Sequence, residues 1–255
     1  MKPIIAANWK MHKTAAETTE FCRAIRKEES AFSGVETLIC PPFTALAAAS
    51  AALKSSHIKL GAQNMDYESR GARTGEIAAF MLLEFGVEYV IIGHSERRHQ
   101  MGEDDDLVRR KIETALGAGL KPILCVGETE AEREQGSTEQ VIKKQLSGAL
   151  EGTEAQHISS LVVAYEPVWA IGTGKAASPE DAENAAALIR GYLQDRFGSV
   201  SAAGTRIQYG GSVKAENIGS FVSLPPVQGA LVGGASLEAD SFSALLKAAG
   251  EAVAN

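Results

Sequence analysis

The chain has little cysteine and no long hydrophobic run. Its 255 residues include three cysteines, Cys22, Cys40 and Cys125, which lie far apart and form no C-x-x-C pair. A sparse, odd set of cysteines is not a disulfide framework and is typical of a reducing compartment. No apolar stretch reaches the length of a membrane span, and the short apolar run near Met1 is not a signal peptide. We therefore expect a cytoplasmic protein with no membrane partner.

The chain also lacks an excess of positive charge. It has 25 Lys and Arg against 32 Asp and Glu, a formal net charge of −7. A nucleic-acid-binding surface needs clustered Lys and Arg, so this balance argues against a nucleic-acid partner. A small anionic substrate remains compatible, because a few backbone N–H groups and one lysine can dominate the local charge.

Hairpin turns of the Asn-Gly or Asp-Gly type are missing between the short apolar runs that recur along the chain. These runs predict strands at Ile4–Asn8, Val35–Cys40, Ile58–Gln63, Tyr89–Gly93, Pro122–Val126, Leu161–Glu166, Arg206–Gly210 and Gly229–Gly233. Helical spacing falls between them, at Ala15–Lys27, Leu107–Ala118 and Glu180–Phe197, the last preceded by Ser178 as N-cap and Pro179 in the first turn. Strands that are separated by helices run parallel and are buried on both faces.

Eight such units without a linker or a change in composition predict a closed α/β barrel of eight parallel strands ringed by helices, a single domain over residues 1–255. The alternative is an open, doubly wound sheet. That fold would usually show a glycine-rich first turn at a nucleotide site, whereas the first strand here ends in Asn8-Trp9-Lys10.

Active sites of such barrels lie at the carboxyl ends of the strands, so polar residues that end the apolar runs are the candidates. They are Asn8, Lys10, His94, Ser95, Glu96, Glu166, the turn Gly210-Gly211-Ser212 and the pair Gly233-Gly234. A cation, an imidazole and a carboxylate thus converge on one rim beside two glycine-rich turns.

Each of these three side chains also has an interpretation without a catalytic role. Glu166 among apolar neighbours is expected to have a raised pKa, which suits a general base, but it could be a capping or salt-bridging residue. His94 precedes a predicted short helix whose N–H groups favour a neutral ring, but a histidine after a strand is often a core residue. Lys10 could supply fixed positive charge to an oxyanion or be an ordinary surface lysine.

Two loops complete the candidate site. Backbone N–H groups of Gly172, Ser212, Gly233 and Gly234 could together hold a phosphate, and the run from Ile171 to Lys175 is interpreted as a mobile lid. A zinc site is not expected, since His94 and His99 do not form H-E-x-x-H and cysteine partners are lacking. The long loop from Asn64 to Gly75 is either functional or a solvated excursion.

Five motifs, in this order, resemble the triosephosphate isomerase family across nearly the whole chain. They are Asn8-Trp9-Lys10, the run from Ile92 to Arg98, the run from Ala164 to Lys175, the run from Tyr209 to Val213 and the run from Leu231 to Leu237. The resemblance implies a TIM barrel that interconverts dihydroxyacetone phosphate and glyceraldehyde 3-phosphate in glycolysis and gluconeogenesis, with no metal or other cofactor because only protons move.

The resemblance also implies residue roles. Glu166 is the base, His94 polarises the carbonyl, and Lys10 stabilises negative charge with support from Glu96. The substrate-binding residues are Asn8, Trp9, Lys10, Gly172, Ser212, Gly233 and Gly234.

A homodimer is further implied through the loop that carries Thr74, Gly75 and Glu76, with the loop tip near the partner's lysine. Arg73 departs from the aromatic residue of the family and puts dimer affinity in doubt. Two rival functions stay open: a barrel aldolase with Lys10 as Schiff base, and a non-catalytic interaction protein on the same fold.

Overall fold

A computed structural model describes residues 1–171 and 177–254. Eight parallel strands in these ranges close into one barrel in chain order. The strands are β1 (Ile4–Asn8), β2 (Glu36–Cys40), β3 (Lys59–Ala62), β4 (Tyr89–Ile92), β5 (Lys121–Val126), β6 (Val162–Tyr165), β7 (Arg206–Tyr209) and β8 (Gly229–Val232). The barrel closes where β8 pairs with β1, for example Ala230 beside Ile5. The predicted closed barrel is therefore confirmed, and the open sheet is excluded.

Helices follow the strands and surround them. In the part of the chain that the structure describes, they are α1 (Ala15–Lys27), α2 (Leu46–Ala52), α3 (Ala79–Glu84), α4 (Ser95–Met101), α5 (Asp105–Gly117), α6 (Glu130–Glu134), α7 (Thr138–Ala149), α8 (Ala155–Ile158), α9 (Pro179–Phe197), α10 (Ser199–Gly204), α11 (Ala215–Val222) and α12 (Ala239–Ala254). Ser178 caps α9 through a reciprocal pair with Asp181, and Pro179 lies in the first turn, as predicted. None of the helices in these ranges is long and apolar enough to cross a membrane.

Successive side chains of each strand point to opposite faces of the sheet, and this alternation produces two apolar layers. The larger cluster packs the outward side chains of the strands against the helices, with Ile39, Val90 and Leu124 among its members. The smaller cluster fills the barrel interior with every second residue, such as Ile4 and Ala6 of β1 and Ile123 and Cys125 of β5. In the described residues the interior is thus a packed core, as in barrels whose ligands bind at the strand ends.

Candidate active site

A cavity of about 570 Å³ opens at the carboxyl ends of the strands. Its lining includes most of the residues singled out from the sequence, namely Asn8, Lys10, His94, Glu166, Ser212 and Gly233. These residues come from five different strand ends, so the closed barrel brings together side chains that are up to 225 positions apart (233 minus 8). The predicted convergence of cation, imidazole and carboxylate on one rim is what the structure contains.

Glu166 follows β6 and is 2% exposed. Its Oε2 accepts a hydrogen bond of 2.9 Å from the backbone N–H of Ser95, and its Oε1 lies 3.1 Å from Nε2 of His94. Burial alone raises the pKa of Glu166, but the attraction of His94, the two hydrogen bonds and Lys10 together hold it below the ordinary value. The expectation of a raised pKa is therefore wrong for this arrangement, because the sequence revealed the apolar neighbours and not the donors.

His94 is the N-cap of α4, which begins at Ser95 as the sequence predicted. The backbone N–H of Glu96 donates to Nδ1 of His94 at 3.2 Å, so the ring proton of the neutral imidazole is on Nε2, the atom that faces Glu166. Burial lowers the pKa of His94, and the neighbouring Glu166 carboxylate raises it by more. The amide at Nδ1 opposes protonation, because protonation would remove its acceptor, but the pKa of His94 is still raised, so the expectation of a neutral ring is wrong while Glu166 lies next to it.

Lys10 has left-handed backbone geometry, with φ of 52°, which is uncommon for a residue with a side chain. Two side chains hold this strained backbone: Oδ1 of Asn8 accepts from the Lys10 N–H at 3.1 Å, and Nε2 of Gln63 donates to the Lys10 carbonyl at 2.9 Å. The ammonium group of Lys10 forms an ion pair of 2.6 Å with Oε1 of Glu96. Such strain at a cavity is typical of functional positions.

The two glycine-rich turns border the same cavity. Ser212, Gly233 and Gly234 line it, and a side chain built on Gly233 would place its Cβ 3.7 Å from Cε of Lys10. A ligand held by the Gly233 turn would therefore lie next to the lysine. Gly172, the fourth predicted member of this set, lies outside the described residues.

Trp9 lies between Asn8 and Lys10 but has no exposed surface. Its indole N–H donates a 3.0 Å hydrogen bond to the Ser236 carbonyl, in the short helical turn Gly234–Ser236 after β8. The predicted substrate-binding residue thus offers its single side-chain donor to the protein backbone.

The base of the predicted lid is held by a buried carboxylate that the sequence analysis did not single out. Glu128 is 0% exposed and accepts hydrogen bonds from the Tyr165 hydroxyl at 3.1 Å and from the Trp169 indole N–H at 2.9 Å. At the other end, the Ala177 N–H donates to the Tyr209 hydroxyl at 3.1 Å. Both ends of the segment that follows β6 are therefore attached to the barrel rim.

Sequence reasoning missed Gln63 and Glu128. It also missed His12 and Lys214, and these two residues line the cavity. Gln63 directly follows β3, and Glu128 lies two positions after β5. The rule that found Asn8 and Glu166, a polar residue just after an apolar strand, would have found both. His12 and Lys214 lie beyond the strand ends, where that rule gives no signal.

The loop from Asn64 to Gly75 is attached to α5. Nζ of Lys111 donates to Oδ1 of Asn64 at 2.9 Å, and the Arg110 guanidinium stacks 3.5 Å above the ring of Tyr67. Residues 71–76 are exposed at the tip of this loop, including Thr74, Gly75 and Glu76. The loop thus has a fixed base and an accessible tip.

A (β/α)₈ barrel whose rim combines a buried carboxylate, a donating imidazole and an ammonium group defines a class of enzyme that moves protons on a small anionic carbonyl compound. The chain belongs to the triosephosphate isomerase family, whose model, described as "Triosephosphate isomerase", matches residues 3–249.

Curated relatives agree with this membership. Proteins named "Triosephosphate isomerase" from Symbiobacterium thermophilum and Carboxydothermus hydrogenoformans are 50% and 51% identical over 250 and 246 residues, respectively. Each alignment covers 98% of the relative, and 98% or 96% of this chain. A further relative of that name from Alkaliphilus metalliredigens is 53% identical over 241 residues, 94% of this chain and 97% of its own length. Membership in this family does not favour the aldolase or the non-catalytic alternative.

Proposed function

We propose that the chain catalyses the reversible isomerisation of dihydroxyacetone phosphate and D-glyceraldehyde 3-phosphate through an enediol(ate). The observation that carries this proposal is that Glu166, His94 and Lys10 border one cavity, with Glu166 and His94 3.1 Å apart. Family membership over residues 3–249 supports the same reaction. In metabolism this step belongs to glycolysis and gluconeogenesis.

Glu166 is the base. It removes a proton from the carbon beside the substrate carbonyl and returns it to the neighbouring carbon. Both of its oxygens are engaged here, by Ser95 and His94, so the carboxylate must leave these partners to reach the substrate carbon. As the carboxylate moves, it loses the polar partners that lower its pKa and enters a less hydrated environment. Its pKa therefore rises, and Glu166 becomes a stronger base as it approaches the carbon.

His94 is the electrophile. Once substrate separates Glu166 from the ring, the carboxylate no longer favours the charged imidazole. The Glu96 amide at Nδ1 then leaves a neutral ring whose Nε2–H donates to the substrate oxygen. Lys10 supplies fixed positive charge beside that oxygen, and Asn8 helps to hold both the lysine backbone and the substrate.

The phosphate group binds the backbone N–H groups of Ser212, Gly233 and Gly234, next to the Lys10 stem. Gly172 joins them when the lid closes, a role that stays a prediction. Closure excludes water, strengthens these interactions and restrains loss of phosphate from the enediolate.

Several features complete the proposal. Residues 1–255 form one barrel domain in the cytoplasm, and the reaction needs no metal or other cofactor because only protons move. Two copies associate through the loop tip at Thr74, Gly75 and Glu76, whose exposure makes them available to a partner.

A coupled assay on purified protein with each triose phosphate tests the reaction. Glu166→Ala should reduce turnover by at least the roughly 10²–10⁴-fold that general base catalysis supplies, while the folded variant still binds a phosphorylated analogue. The control is Glu139→Ala on the exposed face of α7, whose carboxylate forms an ion pair with Lys143. Wild-type-like turnover by Glu166→Ala would refute the assignment of the base.

Borohydride trapping separates this proposal from a Schiff-base aldolase. In the structure the Lys10 ammonium is held by Glu96 at 2.6 Å, whereas a Schiff-base lysine attacks as the neutral amine. We expect no covalent adduct at Lys10 after reduction in the presence of a triose phosphate. Recovery of such an adduct by mass spectrometry would support the aldolase instead.

A further inference from the structure

Trp9 connects two parts of the site that lie at opposite ends of the sequence. Its ring is fully buried and packs edge-on against Phe21 of α1, with ring centroids 4.8 Å apart. Its N–H reaches across 227 positions to the Ser236 carbonyl at 3.0 Å. The residue therefore bridges the end of β1, which carries Lys10, and the turn after β8.

The Gly233–Ser236 turn is held from its own side by Ser236. The backbone N–H of Ser236 donates to the Gly233 carbonyl at 2.9 Å, and the Ser236 hydroxyl contacts the Gly233 and Val232 carbonyls at 2.7 and 3.0 Å. These bonds define the shape of the turn, and β8 pairs with β1 as far as Val232 beside Ala7. Beyond that pairing, the Trp9 bond joins the end of β1 directly to the turn.

We propose that Trp9 is a positioning residue for phosphate recognition, which acts through Ser236 to hold the N–H groups of Gly233 and Gly234 at the right distance from Lys10. This inference rests on the proposed function, in which those groups bind the substrate phosphate. It replaces direct substrate contact by Trp9, since the indole is fully buried and its N–H is already bound to Ser236.

The positioning role of Trp9 depends on its indole N–H and not only on the packing of its ring. An aromatic hydrocarbon at position 9 would keep much of the packing against Phe21 but would leave the buried Ser236 carbonyl without its indole donor. A buried acceptor that loses its partner shifts towards water or towards another donor. Either shift moves the Gly233–Ser236 turn, whose outer face lines the cavity.

The test uses Trp9→Phe in the full-length protein. We expect kcat/KM for the two triose phosphates to fall about 2- to 10-fold, the range for one lost hydrogen bond, and the inhibition constant of inorganic phosphate to rise by a similar factor. Turnover of D-glyceraldehyde, the same triose without phosphate, should fall by a clearly smaller factor, because it does not use the turn.

Phe21→Leu is the matched control, because it disturbs the packing of the same ring and leaves the N–H in place. It should lower Tm without changing the preference for phosphorylated over unphosphorylated triose. If Trp9→Phe does not fold, site-specific benzothienylalanine at position 9 keeps the bicyclic ring and removes only the donor, with the same expected result.

The outcomes are distinct. Equal losses for phosphorylated and unphosphorylated triose, or no loss for either, would overturn the positioning role of Trp9. A wild-type protein that does not isomerise triose phosphates would instead overturn the proposed function. A wild type that strongly prefers phosphorylated triose, with Trp9→Phe losing part of that preference, supports both.

Discussion

The Nε2 atom of His94 lies 3.1 Å from Oε1 of Glu166, and each of the two groups changes the charge state of the other. Burial disfavours charge on both, yet the attraction between them lowers the pKa of Glu166 and raises that of His94. The pair therefore favours the charged carboxylate near neutral pH, before any substrate arrives.

The first prediction concerns the acid limb of the pH profile. Because the pKa of Glu166 is lowered by His94, the part of the acid limb of kcat/KM that Glu166 causes in the wild type should lie below about pH 4.3, the ordinary pKa of Glu, separate from the falls that His94 and the substrate phosphate cause at higher pH. His94→Gln keeps a donor near Glu166 and removes the charge, while burial of the carboxylate remains. The acid limb should move to higher pH, along with a loss of about 10²–10⁴-fold in kcat.

The measurement is kcat/KM against pH for the two proteins at constant ionic strength. The Glu139→Ala control should keep the wild-type limb, since that carboxylate lies on α7 away from the cavity. An acid limb that stays in place in His94→Gln would mean that the charge of His94 does not hold the carboxylate.

The second prediction concerns the backbone behind the base. A Cβ on Gly127 would lie 1.9 Å from the Glu166 carbonyl oxygen, so Gly127→Ala must displace the backbone of the base. A displacement near 1 Å in a catalytic group costs about 10²-fold in rate, and we expect at least that loss in kcat. Overpacking should also lower the free energy of unfolding by about 1–3 kcal/mol.

Gly117→Ala is the matched control for this change. Gly117 ends α5, and a Cβ there meets nothing within 4 Å. Alanine is the better helix former by about 1 kcal/mol, so this variant should be as active as wild type and at least as stable. Turnover of Gly127→Ala at the level of Gly117→Ala would show that the Glu166 backbone tolerates the displacement.

The strands could be predicted because parallel strands are buried on both faces and therefore appear as continuous apolar runs. All eight predicted runs overlap the observed strands, and α1 has the predicted bounds, Ala15–Lys27. Short helices such as α2 and α8 were not predicted. They have seven and four residues, too few for a periodic signal, and depend on tertiary packing.

The features of the site also fall into those that the sequence could predict and those that it could not. Asn8, His94 and Glu166 were found because strand ends meet at one rim, which is a property of the fold. The sign of the pKa shift of Glu166 was not, because it depends first on His94 and then on the Ser95 amide, both about 70 positions away in the sequence. The bond from Trp9 to Ser236 spans 227 positions and involves a backbone carbonyl, which has no sequence signature.

The third prediction concerns the opposite end of the barrel. Arg206 at the start of β7 donates to Glu36 of β2 and to the Tyr89 hydroxyl of β4, both at 2.8 Å. Arg206→Met removes these bonds across the barrel and should lower the free energy of unfolding by about 1–3 kcal/mol at pH 7. Turnover should be unchanged, since these groups lie at the amino ends of the strands.

The pH dependence of that loss has a definite sign. Burial raises the pKa of Glu36, but the Arg206 hydrogen bond and other partners hold it below the ordinary value. A lowered pKa contributes stability above the unfolded pKa of Glu, and this stability disappears as pH falls through the folded pKa. Denaturant unfolding should therefore give a difference between the two proteins that shrinks below about pH 4.3. A difference that grows there would contradict the assignment.

The last prediction concerns Arg73, which lies at the exposed tip of the loop proposed for the dimer. Its guanidinium binds the buried carboxylate of Asp66 at 2.8 Å and lies 4.8 Å above the Tyr67 ring, so it ties the loop tip to the loop base. In the proposed dimer, Arg73→Ala should loosen this loop and raise the dissociation constant by up to about 5-fold, the scale of a partly exposed ion pair. Lys143→Ala on α7 removes equal charge from an ion pair outside the loop and should leave the constant unchanged. Sedimentation velocity over a dilution series measures both variants. Tighter association of Arg73→Ala would mean that the arginine itself opposes the partner, and would contradict the prediction.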